Sequence, residues 1–167
     1  MTTPPIEHSN VKKALDYNPQ TGVFVWLINA NGRAPLGSVA GCKDNRKGYV
    51  LIRLHGTLYL AHRLAWFHMT GEWPKNEIDH IDGNTSNNAF SNLRDVSTSI
   101  NQQNLKRAKT SNKTGYLGVS RARGQEKFIA FITTKGKTRR IGQFDTPELA
   151  HAAYIAAKRK HHIGNTI

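Results

Sequence analysis

The chain of 167 residues contains one basic, polar stretch without apolar periodicity, KRAKTSNKTG at residues 106–115. A stretch of this composition forms neither an amphipathic helix nor a half-buried strand, so it is typical of a linker. It predicts a first domain over residues 1–105, a linker over 106–114 and a second domain over 115–167. A chain of this length can bury a sizeable core without disulfides or a structural metal.

The charged residues are distributed unevenly along the chain, whose net charge is +13 with histidine neutral. Residues 1–74 carry 8 basic and 4 acidic side chains, residues 75–105 carry 2 and 4, and residues 106–167 carry 14 and 3. This excess predicts a polyanionic partner, nucleic acid ahead of an anionic membrane, bound mainly by the basic tail. Carboxylates facing a polyanion are costly unless a cation lies between them, so the acidic segment is where a metal is expected.

Several classes of protein are disfavoured by the sequence. The single Cys42 excludes an internal disulfide and a cysteine-rich zinc site. The first ten residues have no apolar run typical of a secretory signal, and no segment approaches the about 18 apolar residues of a membrane span. We expect an intracellular, cytoplasmic protein without a membrane partner or a small-molecule cofactor.

Local patterns in the first domain predict a small β-rich segment followed by alternating strands and helices. A β-hairpin is expected from Tyr49–Leu54 and Thr57–Ala61, which flank His55-Gly56. A helix is expected over His62–Thr70, where apolar residues recur at helical spacing, and a further helix over Thr98–Leu105. The first domain is therefore predicted to be α+β.

The second domain has a compact pattern of its own. A short strand is predicted over residues 116–119 and a hairpin over residues 127–134 and 137–144. Thr146 is predicted to cap a helix with Pro147 at its first position. These elements predict a three-stranded antiparallel sheet packed on one helix.

Alternation along the first strand of that hairpin separates its two faces. Phe128, Ala130 and Ile132 fall on the face that is expected to meet the alanine-rich helix. Ile129 and Phe131 then lie on the other face. Three explanations stay open: they contact thymine methyl groups, they cover the first strand, or the assignment of faces is wrong.

Four polar residues of the acidic segment and the helix after it have the chemistry that phosphodiester cleavage needs. Asp79 and His80 end a predicted strand, Asn92 follows twelve residues after His80, and Asn101 lies on the predicted helix. A neutral imidazole can take a proton from water near neutral pH. Mg²⁺ prefers one or two protein oxygens together with water and phosphate, which suits the oxygens of Asp79 and Asn101. Asn92 is expected to bind the loop that carries His80.

The same residues lie in a run that resembles the HNH endonuclease family, in the subgroup common in phage genomes and homing enzymes. The similarity spans roughly residues 58–105 and includes DHIDGN, NN, NLR and a final N in register. The resemblance implies a ββα-metal nuclease core with one divalent ion, Mg²⁺ ahead of Mn²⁺. It implies that His80 is the general base, that Asp79 and Asn101 are metal ligands and that Asn92 steadies His80. Many members have histidine where Asn101 stands, so this chain is an HNN variant.

Residues 114–164 resemble a second family, the plant ethylene-response-factor type of DNA-binding domain. The motifs that carry this resemblance are YLGV, RRIGQFDTPELA and AAYIAAKRK. Such domains lay a sheet in the major groove of double-stranded DNA, where arginine pairs with guanine. The resemblance implies DNA contacts by six residues: Arg121, Arg123, Lys127, Thr133, Thr138 and Arg140. In the first domain, Arg63 is predicted to contact phosphate.

Three functions are compatible with these patterns. The leading one is a metal-dependent DNA endonuclease with a DNA-binding module, and the second is a DNA-binding regulator whose HNH core is only a scaffold. The third is an RNA-directed nuclease or an RNA-binding protein. Among single residues, Asn84, Asn87 and Asn88 are predicted to form turns, with a phosphate contact as the alternative, and His62 is predicted to pack rather than to act.

Overall fold

The computed structural model of the protein describes residues 6–30, 34–105, 108, 111–162 and 164–166. The chain forms two compact units, of which the first ends at Ser97 and the second begins at Thr98. Within the predicted linker, residues 106, 107, 109 and 110 lie outside the described residues. The predicted boundaries at 105 and 115 therefore stay a prediction.

In its described residues, the first unit contains two α-helices and three small antiparallel sheets. Its elements are α1 (His8–Ala14), β1 (Leu15–Tyr17), β2 (Phe24–Trp26), β3 (Cys42–Lys43), β4 (Val50–Leu54), β5 (Thr57–Leu60), α2 (Ala61–Thr70), β6 (Glu77–His80), a 3₁₀ turn (Phe90–Asn92) and β7 (Leu93–Val96). β1 pairs with β2, β4 lies between β3 and β5, and β6 pairs with β7. The β-rich segment predicted before the HNH motif is present.

The predicted hairpin and helix in the middle of this unit are confirmed. β4 and β5 pair around His55 and Gly56, whose φ angles of 48° and 81° are those of a type I′ turn. α2 ends at Gly71, which adopts a left-handed conformation and donates its backbone N–H to the carbonyl of Phe67. Four apolar residues of α2 are buried in the core of the unit: Ala61, Leu64, Ala65 and Phe67.

The second unit contains the three-stranded sheet and the helix that the sequence predicts, but its first strand spans Val119–Arg121 and not the predicted residues 116–119. Its elements are α3 (Thr98–Gln103), β8 (Val119–Arg121), β9 (Phe128–Thr134), β10 (Lys137–Phe144) and α4 (Pro147–His161). The strand order is β10-β9-β8, and all neighbours are antiparallel. The hydroxyl of Thr146 accepts the backbone N–H of Leu149 at 3.3 Å, which confirms the predicted cap of α4. The predicted α+β class is confirmed.

The two faces of β9 are as the alternation predicts. Ala130 is fully buried, and Phe128 packs with Ala150 and Tyr154 of α4 in one apolar cluster. Ile129 and Phe131 lie on the opposite face and are half-buried. The assignment of faces is therefore correct.

No helix of the described residues is long and apolar enough to cross a membrane.

Candidate active site

Strand β6, which pairs with β7, carries Asp79 and His80, two consecutive residues of the HNH motif. Its register pairs Asp79 with Arg94 and His80 with Leu93. Ile78 and Leu93 are buried in the core of the unit and anchor the two strands. Asp79 and His80 are only 5% and 4% exposed, so both polar side chains lie in a mostly desolvated environment.

The carboxylate of Asp79 is held by a guanidinium group. The Nε and Nη2 atoms of Arg94 lie 2.8 and 2.6 Å from Oδ2 of Asp79. A buried carboxylate is costly unless it is paired and hydrogen-bonded, and Arg94 supplies both interactions. The charge of Asp79 also acts on the rings of His80 and Tyr49, so the carboxylate lies close to both.

The imidazole of His80 is neutral near physiological pH. Burial lowers its pKa, and this effect outweighs the hydrogen bond to Asn88 and the nearby carboxylates of Asp82 and Asp79, which raise it. The Nε2 atom of His80 lies 3.2 Å from Oδ1 of Asn88, a buried side chain. A neutral imidazole with one nitrogen held in this way is a candidate proton acceptor.

Two further rings surround His80. The ring of His62 meets the ring of His80 edge to face at 5.0 Å between centroids, and Tyr49 lies 5.1 Å from His62 and 6.0 Å from His80. Burial lowers the pKa of His62 to about 3, with smaller contributions from His80 and Arg63. The Nδ1 atom of His62 is buried and has no hydrogen-bond partner among the described residues. His62 therefore packs against His80, as the sequence predicts.

Asn92 binds the loop between β6 and β7. Its Oδ1 accepts the backbone N–H of Asp82 at 2.9 Å, and its Nδ2 donates to Oδ1 of Asp82 at 3.0 Å and to the carbonyl of Asn87 at 2.8 Å. The predicted contact of Asn92 with the loop is thus present. The amide that contacts the imidazole itself is that of Asn88, which the sequence predicted only as a turn residue.

The remaining residues predicted in the HNH motif have different positions. Asn101 lies on α3 in the second unit. The guanidinium of Arg63, on α2, donates to the carbonyls of Asn76 and Pro74 at 3.2 and 3.4 Å. Arg63 therefore ties α2 to the segment before β6, and its predicted phosphate contact stays a prediction.

The donors at this site suit a hard divalent ion. Among the described residues no three His, Cys, Asp or Glu side chains converge in the manner of an all-protein metal cage. Mg²⁺ is commonly held by one or two protein oxygens and completes its coordination with water and substrate phosphate. The carboxylate of Asp79 fits that kind of site, and the role of Asn101 as a second oxygen ligand stays a prediction.

The six residues predicted to contact DNA from the second unit are all exposed. Thr133 and Thr138 face each other across β9 and β10, with hydroxyl oxygens 2.8 Å apart, and Arg140 shares their face opposite Phe131. Arg121 pairs with Phe128 and so lies on the side of the sheet that faces α4, at the end of β8. The six residues do not share one face, and their role in DNA binding stays a prediction.

Two of these cations form exposed ion pairs. Lys127 lies 3.3 Å from Asp145, and Arg121 lies 3.9 Å from Glu126. Such exposed pairs contribute about 0–1 kcal/mol to stability.

Sequence reasoning missed three residues around His80: Tyr49, Asn88 and Arg94. The pair Asn87-Asn88 lies within the motif that resembles the HNH family, and this was the available signal for Asn88. Tyr49 is the first residue of a predicted strand and has no local feature that indicates contact with a residue 31 positions later.

Three comparisons relate this chain to known proteins. A family model described as HNH endonuclease matches residues 59–103. Protein 3.8 of Escherichia phage T7 is 34% identical over 101 residues, which cover 60% of this chain and 83% of the phage protein. A solved structure, described as DNA binding and cleavage by the HNH homing endonuclease I-HmuI, is 21% identical, with a TM-score of 0.46 and coverage of 95% of this chain and 93% of that chain. The chain belongs to the HNH endonuclease family.

Proposed function

We propose that this protein is a divalent-metal-dependent DNA endonuclease of phage or homing type that hydrolyses phosphodiester bonds. It acts in the cytoplasm of the host cell, with Mg²⁺ or Mn²⁺ as the ion. The single observation that carries the proposal is the placement of a buried, neutral His80 beside the Asp79 carboxylate at the end of β6. These are the two groups that metal-assisted hydrolysis of a phosphodiester needs, a base and a hard ligand.

In this proposal each residue of the candidate site has its own role in the hydrolysis of the phosphodiester. His80 takes the proton of the attacking water, and Asp79 and Asn101 provide oxygen ligands to the ion. When bound, the ion supplies Lewis-acid stabilisation of the charge that develops on the phosphate. Arg94 holds the carboxylate of Asp79, and Asn92 keeps the loop after His80 closed through its bonds to Asp82.

The second unit supplies affinity for double-stranded DNA. The segment from residue 106 onward carries 14 of the 24 basic residues of the chain, and the described cations on its sheet are exposed. A likeness to ethylene-response-factor domains supports a sheet that enters the major groove. Contacts of Arg123, Lys127 and Arg140 with phosphate or guanine follow from this proposal.

A cleavage assay with His80→Ala tests the proposal. The full chain is incubated with duplex DNA and Mg²⁺, and cleavage and binding are measured separately. We expect His80→Ala to lose roughly 10²- to 10⁴-fold in cleavage rate and to bind DNA as before, because a general base contributes about that much. His55→Asn is the matched control, since it removes an exposed histidine and asparagine tolerates its positive φ.

The outcomes separate the competing functions. Equal cleavage by His80→Ala and the unaltered chain contradicts the assignment of the base. Tight binding of duplex DNA without any cleavage supports the regulator instead. Preference for RNA over duplex DNA in competition at matched salt supports an RNA-directed protein.

A further inference from the structure

The side chain of Asn88 forms a hydrogen bond with the imidazole of His80, and a second hydrogen bond defines the orientation of the Asn88 amide. Nε2 of His80 lies 3.2 Å from Oδ1 of Asn88, while Nδ2 of Asn88 donates to the backbone carbonyl of Ser86 at 3.4 Å. A carbonyl only accepts hydrogen bonds, so the amide nitrogen of Asn88 points to Ser86 and its oxygen points to the ring. An amide oxygen also only accepts. In the neutral ring the proton therefore lies on Nε2, and the lone pair lies on Nδ1.

Asn88 is held in place by the hairpin β1–β2, which lies far from it in sequence. The hydroxyl of Tyr17, at the end of β1, donates to the carbonyl of Asn88 at 2.7 Å, and both residues are buried. The backbone N–H of Phe90 donates to the carbonyl of Pro19 at 2.8 Å. A Cβ atom at Gly22 would lie 2.2 Å from the carbonyl carbon of Asn88, so the backbones approach as closely as glycine allows.

A second segment holds the residues just before Asn88. The hydroxyl groups of Thr85 and Ser86 donate to the carbonyls of Lys47 and Gly48, each at 2.9 Å. Ser86 is the residue whose carbonyl accepts the amide of Asn88. Both supporting segments precede residues 59–103, which the HNH family model matches.

We infer that Asn88 is a positioning residue that fixes the tautomer of His80 with the lone pair on Nδ1, and that the segments 15–22 and 47–48 serve to hold Asn88. The inference rests on the proposed function, in which His80 is the base. It gives the chain before residue 59 a role in the reaction. The role is exerted through the backbone of Asn88, and none of the residues in these segments needs to touch the substrate.

The tautomer can be measured without DNA or metal. Long-range ¹H–¹⁵N spectra of the full chain at about pH 8, where the ring is neutral, distinguish a protonated Nε2 from a protonated Nδ1. We expect the unaltered chain and Asn88→Asp, which keeps an acceptor oxygen, to show His80 protonated on Nε2. We expect Asn88→Leu, which has no acceptor, to show a mixture of the two tautomers.

Kinetics give the second readout. Asn88→Leu is expected to lower kcat roughly 10- to 100-fold with KM unchanged, and Asn88→Asp is expected to restore much of that loss. Tyr17→Phe, which removes only a hydroxyl, is expected to shift the His80 signals and lower kcat by a smaller factor. Tyr59→Phe is its matched control, because it also removes a tyrosine hydroxyl from the first unit and the ring of Tyr59 stacks on Trp73.

Clear results would overturn the inference. If Asn88→Leu shows the same His80 tautomer and the same kcat as the unaltered chain, Asn88 does not position His80. Should that variant fail to fold, Tyr17→Phe decides through the same spectra, and signals identical to those of Tyr59→Phe contradict the support by the hairpin. If Asn88→Leu loses the single tautomer while His80→Ala still cleaves fully, Asn88 does position the imidazole. The same result contradicts the proposal that His80 is the general base.

Discussion

The residues around His80 and the cations of the second unit differ in their access to water. Asp79, His80 and Asn88 are 5%, 4% and 2% exposed, and each has a defined hydrogen-bond partner. The side chains of Arg121 and Lys127 are 66% and 53% exposed, and their acidic partners are more exposed still. Proton transfer needs one neutral group in one orientation, whereas affinity for a polyanion needs charges that readily exchange their partners. The proposed function assigns the first need to the residues around His80 and the second to the cations of the second unit.

The largest effect is expected from a change to the buried carboxylate of Asp79, which would lower the rate of cleavage. Asp79→Asn keeps the shape of the side chain and removes the charge that faces Arg94 and the proposed ion. We expect cleavage at limiting Mg²⁺ to fall by roughly 100-fold or more, with partial recovery at high metal, because a metal contributes several kcal/mol to such a reaction. A metal titration of the cleavage rate measures this.

Glu72→Gln is the matched control, since it removes an exposed carboxylate of the same unit that lies outside the segments holding Asn88. A thermal melt accompanies both variants. If Asp79→Asn is unfolded at ordinary temperature, Asp79 has a structural role through its pair with Arg94. If the variant folds and needs the same concentration of metal as the unaltered chain, Asp79 is not a metal ligand.

A smaller effect is expected from the exposed cations. The double variant Arg123→Gln and Arg140→Gln removes two charges predicted to contact DNA. We expect the slope of log affinity against log salt to become shallower by about 1.8, at roughly 0.9 for each phosphate contact. Anisotropy titrations with a labelled duplex between about 50 and 200 mM salt give the slope.

The double variant Lys12→Gln and Lys13→Gln makes the same change of charge on α1 of the first unit. We expect it to leave the slope nearly unchanged. Equal effects of the two double variants would show that net charge alone controls binding and that the sheet of the second unit has no special part in it.

The smallest effect is expected on the dependence of stability on pH. The pKa of His62 is about 3 in the folded chain, below its ordinary value of 6.5, so the unfolded chain binds a proton that the folded chain refuses between those values. His62 therefore does not change the free energy of unfolding above pH 6.5. As the pH falls from 6.5 towards 3, His62 lowers the free energy of unfolding by up to about 1.4 kcal/mol per pH unit. Denaturant unfolding at about pH 7.5 and about pH 5 measures the loss.

His62→Leu removes this titration and the buried Nδ1 that has no described partner. We expect its stability to fall less between the two pH values than that of the unaltered chain. An equal fall in the two proteins would contradict the burial of a neutral imidazole against His80.

Local patterns predicted most of the elements. Apolar residues at helical spacing with Gly71 beyond them predicted α2, and turn residues at positions 55 and 56 predicted the β4–β5 hairpin. Such signals act between residues that are close in the chain, so a sequence contains them directly. The same holds for the faces of β9, which follow from a period of two.

Contacts between distant segments could not be predicted in this way. The sequence places Asp79, His80 and Asn92 in one motif, but it does not indicate that Asn88 orients the imidazole or that Tyr17, 71 residues earlier, holds Asn88. Nor does it indicate the pairing of Arg94 with Asp79, which depends on the register of β6 and β7. These contacts arise from packing and register, which the whole fold determines.

The sequence by itself determined the types of residue available for chemistry, the alternation of apolar and polar faces and the excess of positive charge near its end. Tertiary structure alone decided which of the polar residues are desolvated and which nitrogen of His80 faces an acceptor. The physical reason is that burial and hydrogen-bond geometry depend on segments such as β1 and β6, which meet only when the chain has folded.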